Sequence, residues 1–311
     1  MIHTKVLIIG SGPAGYTAAI YTSRANLETT IIGGSQLGGQ LTMTTDVENY
    51  PGFIEPIQGP WLVEQMKSQT ERYGTKIIQE DVIEVDCSKK PFICKTASEI
   101  YTSNAVIIAT GAQARWLNIE SESYFKGYGV SGCATCDGFF YKNKPVVVVG
   151  GGNTAVEEAL HLAKTSSKVY LIHRGDKLRC EEIIQNRLLK NDKIETIFNT
   201  QIDEILGEKG AIKYVKSVRL LNNKSNQTQE LAVDGVFIAI GHKPSTDLFK
   251  GQISIDEHGY IITEKGSTKT NIAGVFAAGD VQDKHYRQAI TAAGSGCMAA
   301  IDVQNFFSDE N

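Results

Sequence analysis

The chain has 311 residues, 41% of them hydrophobic and 21% charged, with a formal net charge of −4 at pH 7. At ~100 to 200 residues per domain this length suggests two domains, and the composition supports buried cores while excluding disordered, collagen-like and coiled-coil chains. No general basic field is present to hold nucleic acid or an anionic membrane surface, and no segment reaches the ~20 apolar residues of a membrane span.

Lys5 to Ile9 reads as a short apolar strand, followed by Gly10-Ser11-Gly12-Pro13-Ala14-Gly15 and by good helix formers from Ala14 to Arg24. Strand, glycine turn and helix in that order form a dinucleotide fingerprint. The first glycine allows the turn, the second lets backbone approach a pyrophosphate, and the third lets helix pack on strand. Because Val6 to Ile9 runs straight into this motif rather than into a small-residue cleavage site, no signal peptide is expected. The second strand, Thr29 to Ile32, ends in Gly33-Gly34, where a ribose-binding Asp or Glu is expected, so the motif alone does not name its nucleotide. A third apolar strand, Ala105 to Ala109, closes at Thr110-Gly111.

Next comes Cys133-Ala134-Thr135-Cys136. A CxxC can be half a zinc site, a redox dithiol or two structural cysteines. A structural zinc needs four ligands and the remaining Cys and His are scattered, which favours a redox pair with one thiolate stabilised below the free value of ~8.5. No metal is expected. Asp137 follows at once, either as a proton donor or as a surface turn residue. Cys87, Cys94, Cys180 and Cys297 lack paired spacing and read as buried small hydrophobes. Six cysteines so distributed point to a reducing compartment and a cytoplasmic protein. Trp61, Trp116 and the histidines other than His173 read as packing or surface residues.

The fingerprint grammar returns at Pro145 to Val149, with Gly150-Gly151-Gly152-Asn153-Thr154-Ala155 and a helix from Thr154 to about Lys164. About 20 residues on, the strand Val169 to Ile172 ends in His173-Arg174, with Lys177 and Arg179 behind it; cations at this register suit a 2′-phosphate, so the second nucleotide reads as NADP. Val236 to Ile240 closes this unit at Gly241. The C-terminal piece adds a strand over Ile272 to Ala278, a turn at Gly279-Asp280, and a helix over Tyr286 to Phe307. The fold is expected to be α/β, with two Rossmann-like dinucleotide-binding domains. Residues 114–243 form an insert in a discontinuous host of 1–113 and 244–311, crossed at Gln113 to Leu117 and His242 to Ser245.

These residues resemble those of the low-molecular-weight thioredoxin reductases of bacteria, a branch of the pyridine nucleotide-disulfide oxidoreductases. The likeness is carried by Ile9 to Tyr16, Gly38 to Leu41, Glu48 to Gly52, Ala109 to Gly111, Gly150 to Glu158, Ala278 to Ala289 and, most specifically, Cys133 to Gly138. It implies FAD in the host domain, NADPH in the insert, a homodimer, and thioredoxin as the protein substrate, with no nucleic acid or membrane partner. By that likeness, Gly10, Gly12, Pro13, Ala14, Gly15, Gly33, Gly34, Gly38, Gly39, Gln40, Leu41, Asn49, Ala109, Thr110, Gly111, Gly279, Asp280, Arg287, Gln288 and Ala289 are expected at the FAD. Gly150, Gly152, Asn153, Thr154, Ala155, His173, Arg174, Lys177, Arg179 and Gly241 are expected at the NADPH. It further implies that Cys136 faces the flavin, Cys133 attacks the substrate, and Asp137 handles protons. One departure is Gly175, where the family usually carries a second arginine after the histidine. Two other readings stay open on the residues alone: a reductase serving a different small dithiol protein, and a redox sensor that switches without turning over.

Overall fold

Successive side chains of a strand point to opposite faces, and the first strand, Ile2–Ile9, uses both. Val6 and Ile8 enter one hydrophobic core while Leu7 and Ile9 enter another. Ile100–Ile108 divides the same way, with Ala105 and Ile107 in the first core and Val106 and Ile108 in the second. Strands buried on both faces belong to a parallel sheet covered by helices. The computed structural model describes residues 1–44, 46–210 and 212–309. By internal packing the chain falls into two compact units, Met1–Gln113 with Lys243–Asn311, and Ala114–His242.

In the first unit, parallel strands stand in the order Lys76–Ile78, Thr29–Ile32, Ile2–Ile9, Ile100–Ile108. The far edge of Ile100–Ile108 is shared by two partners. Its start pairs antiparallel with Phe92–Lys95, which in turn pairs with Glu84–Asp86, and its end pairs in parallel with Val275–Ala277. The expected strand 272–278 is shorter because Gly274 turns at a φ of 90° and the Val275 N–H folds back onto the Ile272 carbonyl (3.0 Å). The last helix is Ala289–Asp309 and not 286–307, since Arg287 at a φ of 48° lies in the left-handed region, outside helical geometry.

The second unit repeats the plan. Val130–Ser131, Gly235–Ile238, Pro145–Val149, Lys168–Ile172 and Ile194–Ile197 form an all-parallel sheet in that order. Val147 and Val149 point into one core, Val146 and Val148 into the other. The helix after the glycines spans Asn153–Leu162, two residues short of the expected end, because the Lys164 and Thr165 N–H groups bond three residues back in tight final turns. An antiparallel meander of Thr200–Glu208, Tyr214–Asn222 and Thr228–Ala232 precedes Gly235–Ile238; the sequence reading leaves it unassigned. The four strands Lys76–Ile78, Thr29–Ile32, Ile2–Ile9 and Ile100–Ile108 of the first unit, and Ile194–Ile197, Lys168–Ile172, Pro145–Val149 and Gly235–Ile238 of the second, therefore stand in the 3-2-1-4 order of the Rossmann fold, with Val130–Ser131 added at the edge of the second. The connecting segments Ala112–Ala114 and His242–Pro244 pair with each other as a two-stranded ribbon. No described helix is long and apolar enough to cross a membrane.

Candidate active site

The first glycine turn is built by close approach. Gly10 has a φ of 111°, and a Cβ there would overlap the Ala109 carbonyl oxygen. Its N–H donates to the Ile32 carbonyl (2.8 Å) while the Ala109 N–H donates to Ile9 (2.8 Å), so three strand ends close on one point. A Cβ on Gly15 would overlap the Gly10 carbonyl oxygen, which brings the helix Pro13–Arg24 directly onto the turn. Gly12 differs. A Cβ there would meet nothing within 4 Å, and Gly12 caps the helix with no side-chain hydrogen bond to its first amides. Uncapped N–H groups at the positive end of a helix, facing open space, suit a pyrophosphate.

Around this turn the structure gathers residues far apart in sequence. Ser11 is 3% exposed; its Oγ donates to the Gly33 carbonyl (2.9 Å) and accepts the Gly38 N–H (3.0 Å). Gln40 Nε2 donates to the Ala112 carbonyl, Asn49 Nδ2 to Gln288 Oε1 (3.3 Å), and Thr110 Oγ1 to the Ser245 carbonyl (2.8 Å). The Gly279 N–H donates to Ser295 Oγ (2.8 Å), and a Cβ on Gly279 would lie 2.9 Å from that of Ala14. Leu41 turns to the core, and Ala289 opens the last helix.

In the second unit Gly150 repeats the arrangement. Its N–H donates to Ile172 (3.0 Å), the Ala239 N–H donates to Val149 (2.8 Å), and a Cβ on Gly150 would overlap the Ala239 carbonyl oxygen. Gly152, like Gly12, caps its helix without a side-chain bond, and a Cβ there meets nothing within 4 Å. Arg174, Lys177 and Arg179 are exposed beside this turn, and the Arg179 N–H donates to the Gly151 carbonyl (2.6 Å). Two residues expected at the nucleotide have partners within the same unit. Asn153 exchanges hydrogen bonds with Glu181 through Nδ2 to Oε1 (3.0 Å) and Oδ1 from the backbone N–H (2.9 Å). His173 is 6% exposed, packs edge-on against Phe198, and is pushed towards its neutral form mainly by burial. Its ring occupies the space where a Cβ on Gly151 would sit. Gly175 is not in the left-handed region; a Cβ there would lie 3.0 Å from His173 Nε2.

Cys133 and Cys136 are joined as a disulfide. Cys133 caps the turn Ala134–Asp137, its Sγ accepting the Cys136 N–H at 3.2 Å. Cys136 is exposed, Cys133 half-buried. Burial raises the Asp137 carboxyl above its ordinary range, with a Ser131 hydrogen bond opposing it. Cys87 and Cys94 are buried as expected, whereas Cys180 and Cys297 are only half-buried, each standing on a helix or loop flank rather than within a sheet. The pattern that defines the pyridine nucleotide-disulphide oxidoreductase family matches residues 4–296. The chain belongs to that family.

Thioredoxin reductase of Rickettsia felis is 58% identical over 308 residues, 99% of each chain, and glucosaminate ammonia-lyase of Pseudomonas fluorescens is 51% identical over 98% of this chain and 96% of the other. The solved structure of thioredoxin reductase from Giardia duodenalis superposes with a TM-score of 0.94 at 43% identity, covering 99% of this chain and 100% of that one. Pyridine nucleotide-disulphide oxidoreductases of this kind use FAD and NADPH. The residues of this oxidoreductase fit both: each glycine turn leaves open space beside uncapped helix amides, and exposed cations of the kind that suit a 2′-phosphate stand beside the second. Asp280 adds a carboxyl beside Gly279. Burial, then Asp283, raise its carboxyl to about 7 against the pull of Arg287.

Sequence reasoning passed over Ser11, which stitches the first turn to Gly33 and Gly38, and Glu181, which holds Asn153. Ser11 stood inside the fingerprint as an unspecified position, and the signal available was its small hydroxyl between two glycines. Glu181 lies 28 residues from its partner and gave no signal.

Proposed function

We propose that the protein is an NADPH-dependent thioredoxin-disulfide reductase, with FAD in the unit Met1–Gln113 and Lys243–Asn311 and NADPH in Ala114–His242. The observation that carries this reading is the Cys133–Cys136 disulfide in an exposed turn, followed at once by a carboxyl that burial biases towards protonation. When bound, NADPH and FAD supply the two electrons that open this disulfide. In the reduced pair, the Cys136 N–H that bonds Cys133 Sγ stabilises a thiolate on Cys133. That thiolate attacks one sulfur of the thioredoxin disulfide, forming a mixed disulfide and releasing the other sulfur. Cys136 then attacks Cys133 Sγ, restoring the internal disulfide and expelling the second substrate thiolate. Asp137 is the neighbouring acid that protonates the departing sulfur.

Phe139 and Phe140, 66% and 39% exposed, stand just beyond the turn and give a protein substrate an apolar surface beside the reacting sulfurs. The sparse cysteines favour the reducing cytoplasm as its location, and the family likeness favours a homodimer. The test is anaerobic titration of the purified yellow protein with NADPH, with and without oxidised thioredoxin. Wild type is expected to turn over thioredoxin, while Cys133→Ser and Cys136→Ser lose that turnover and keep flavin bleaching by NADPH. Full activity in both variants overturns the dithiol mechanism. An ammonia-lyase makes no use of the disulfide, and release of ammonia from glucosaminate by the same preparation checks that name.

A further inference from the structure

The first fingerprint lacks the acid that normally receives an adenosine ribose, because Thr29–Ile32 ends in Gly33 and Gly34. The neighbouring strand supplies one. Thr29–Ile32 pairs in parallel with Lys76–Ile78, Ile32 opposite Ile78, so the two strands end side by side. Beyond them the Gly33 N–H donates to the Ile78 carbonyl (2.9 Å) and the Gly34 N–H to Glu80 (3.0 Å), which brings Asp81 against Gly34 and Ser35. Asp81 Oδ1 accepts the Ser35 N–H at 2.9 Å, and a Cβ on Gly34 would lie 3.3 Å from the same oxygen. The side chain is exposed, and among the described residues it has no cationic partner and its Oδ2 has no hydrogen bond.

We infer that Asp81 is the ribose-binding acid of the first nucleotide site, contributed by the segment that follows Lys76–Ile78 instead of the end of Thr29–Ile32, and that it selects a dinucleotide with a free adenosine 2′-hydroxyl. The inference rests on FAD binding at this site. A carboxylate has about four acceptor positions and Ser35 uses one, so Oδ2 remains to accept a ribose O–H. Glycine at 33 and 34 leaves no side chain of the second strand to compete for that place. A nucleotide bearing a 2′-phosphate would set like charges against each other, which separates this site from the basic one after Ile172.

The test uses FAD-stripped protein, wild type and Asp81→Asn, titrated by flavin fluorescence with FAD and with an FAD analogue lacking the adenosine 2′-hydroxyl. Asn keeps an oxygen for the Ser35 amide, so the loop anchor survives the exchange. Wild type is expected to prefer FAD by about 10-fold, the scale of one hydrogen bond to a charged group, and Asp81→Asn to bind both flavins alike. A variant that keeps the wild-type preference, or one that weakens both flavins equally, overturns the assignment and leaves Asp81 as an anchor for Ser35. Failure of stripped wild type to bind either flavin overturns the FAD reading itself.

Discussion

At Asp280 the fold changes the chemistry of a single group. Its carboxyl titrates at about 7 in the folded protein against an ordinary 3.8, because burial and the adjacent Asp283 penalise the charge. Between those values the native state holds a proton that the unfolded chain has released, so stability falls as pH rises through the window. FAD-stripped wild type is therefore expected to lose urea resistance from about pH 4 to about pH 7, and Asp280→Asn to lose less over the same range. Urea midpoints across that range check it; equal slopes in the two proteins remove Asp280 as the cause. Much at this scale was legible beforehand. Gly10, Gly15 and Gly150 could be placed from sequence because each meets a steric demand that no other side chain satisfies. Ser11, Asp81 and Glu181 could not, since their partners are set by which strands and helices become neighbours.

Between elements, the contact of Pro13–Arg24 with Ala289–Asp309 depends on small residues. A Cβ on Gly296 would overlap the Ala14 carbonyl oxygen, whereas one on Gly294, two residues earlier in the same helix, would meet nothing within 4 Å. Opposite outcomes are expected. Gly296→Ala is expected to destabilise by about 1 to 3 kcal/mol through overpacking. Gly294→Ala should gain about 0.5 to 1 kcal/mol from helix propensity. Chemical unfolding of both variants checks this, and a neutral Gly296→Ala would show that the two helices can part without cost. The sequence showed this last helix by composition but set its start three residues early, because nothing in Tyr286-Arg287-Gln288 announces a left-handed residue. Half-polar strands such as Thr200–Glu208 carried too few consecutive apolar residues to stand out, unlike the valine run Val146 to Val149.

Across the whole molecule, the unit Ala114–His242 owns a five-stranded parallel sheet, a covering meander and two hydrophobic cores. It is one continuous piece of chain with adjacent ends, the usual condition for independent folding. A fragment of residues 114–242 is expected to melt cooperatively and to bind NADPH while reducing no thioredoxin, as read by circular dichroism and NADPH titration. A fragment that stays unfolded would show that its cores need the host. The pairing of Ala112–Ala114 with His242–Pro244 has one more consequence, for the order of events during folding. Val275–Ala277 must find Val106–Ile108 across the whole length of the insert, and closing so long a flexible loop is slow. Once the insert has collapsed, its two ends lie side by side, and the host meets the equivalent of a hairpin turn where there had been a long wandering chain.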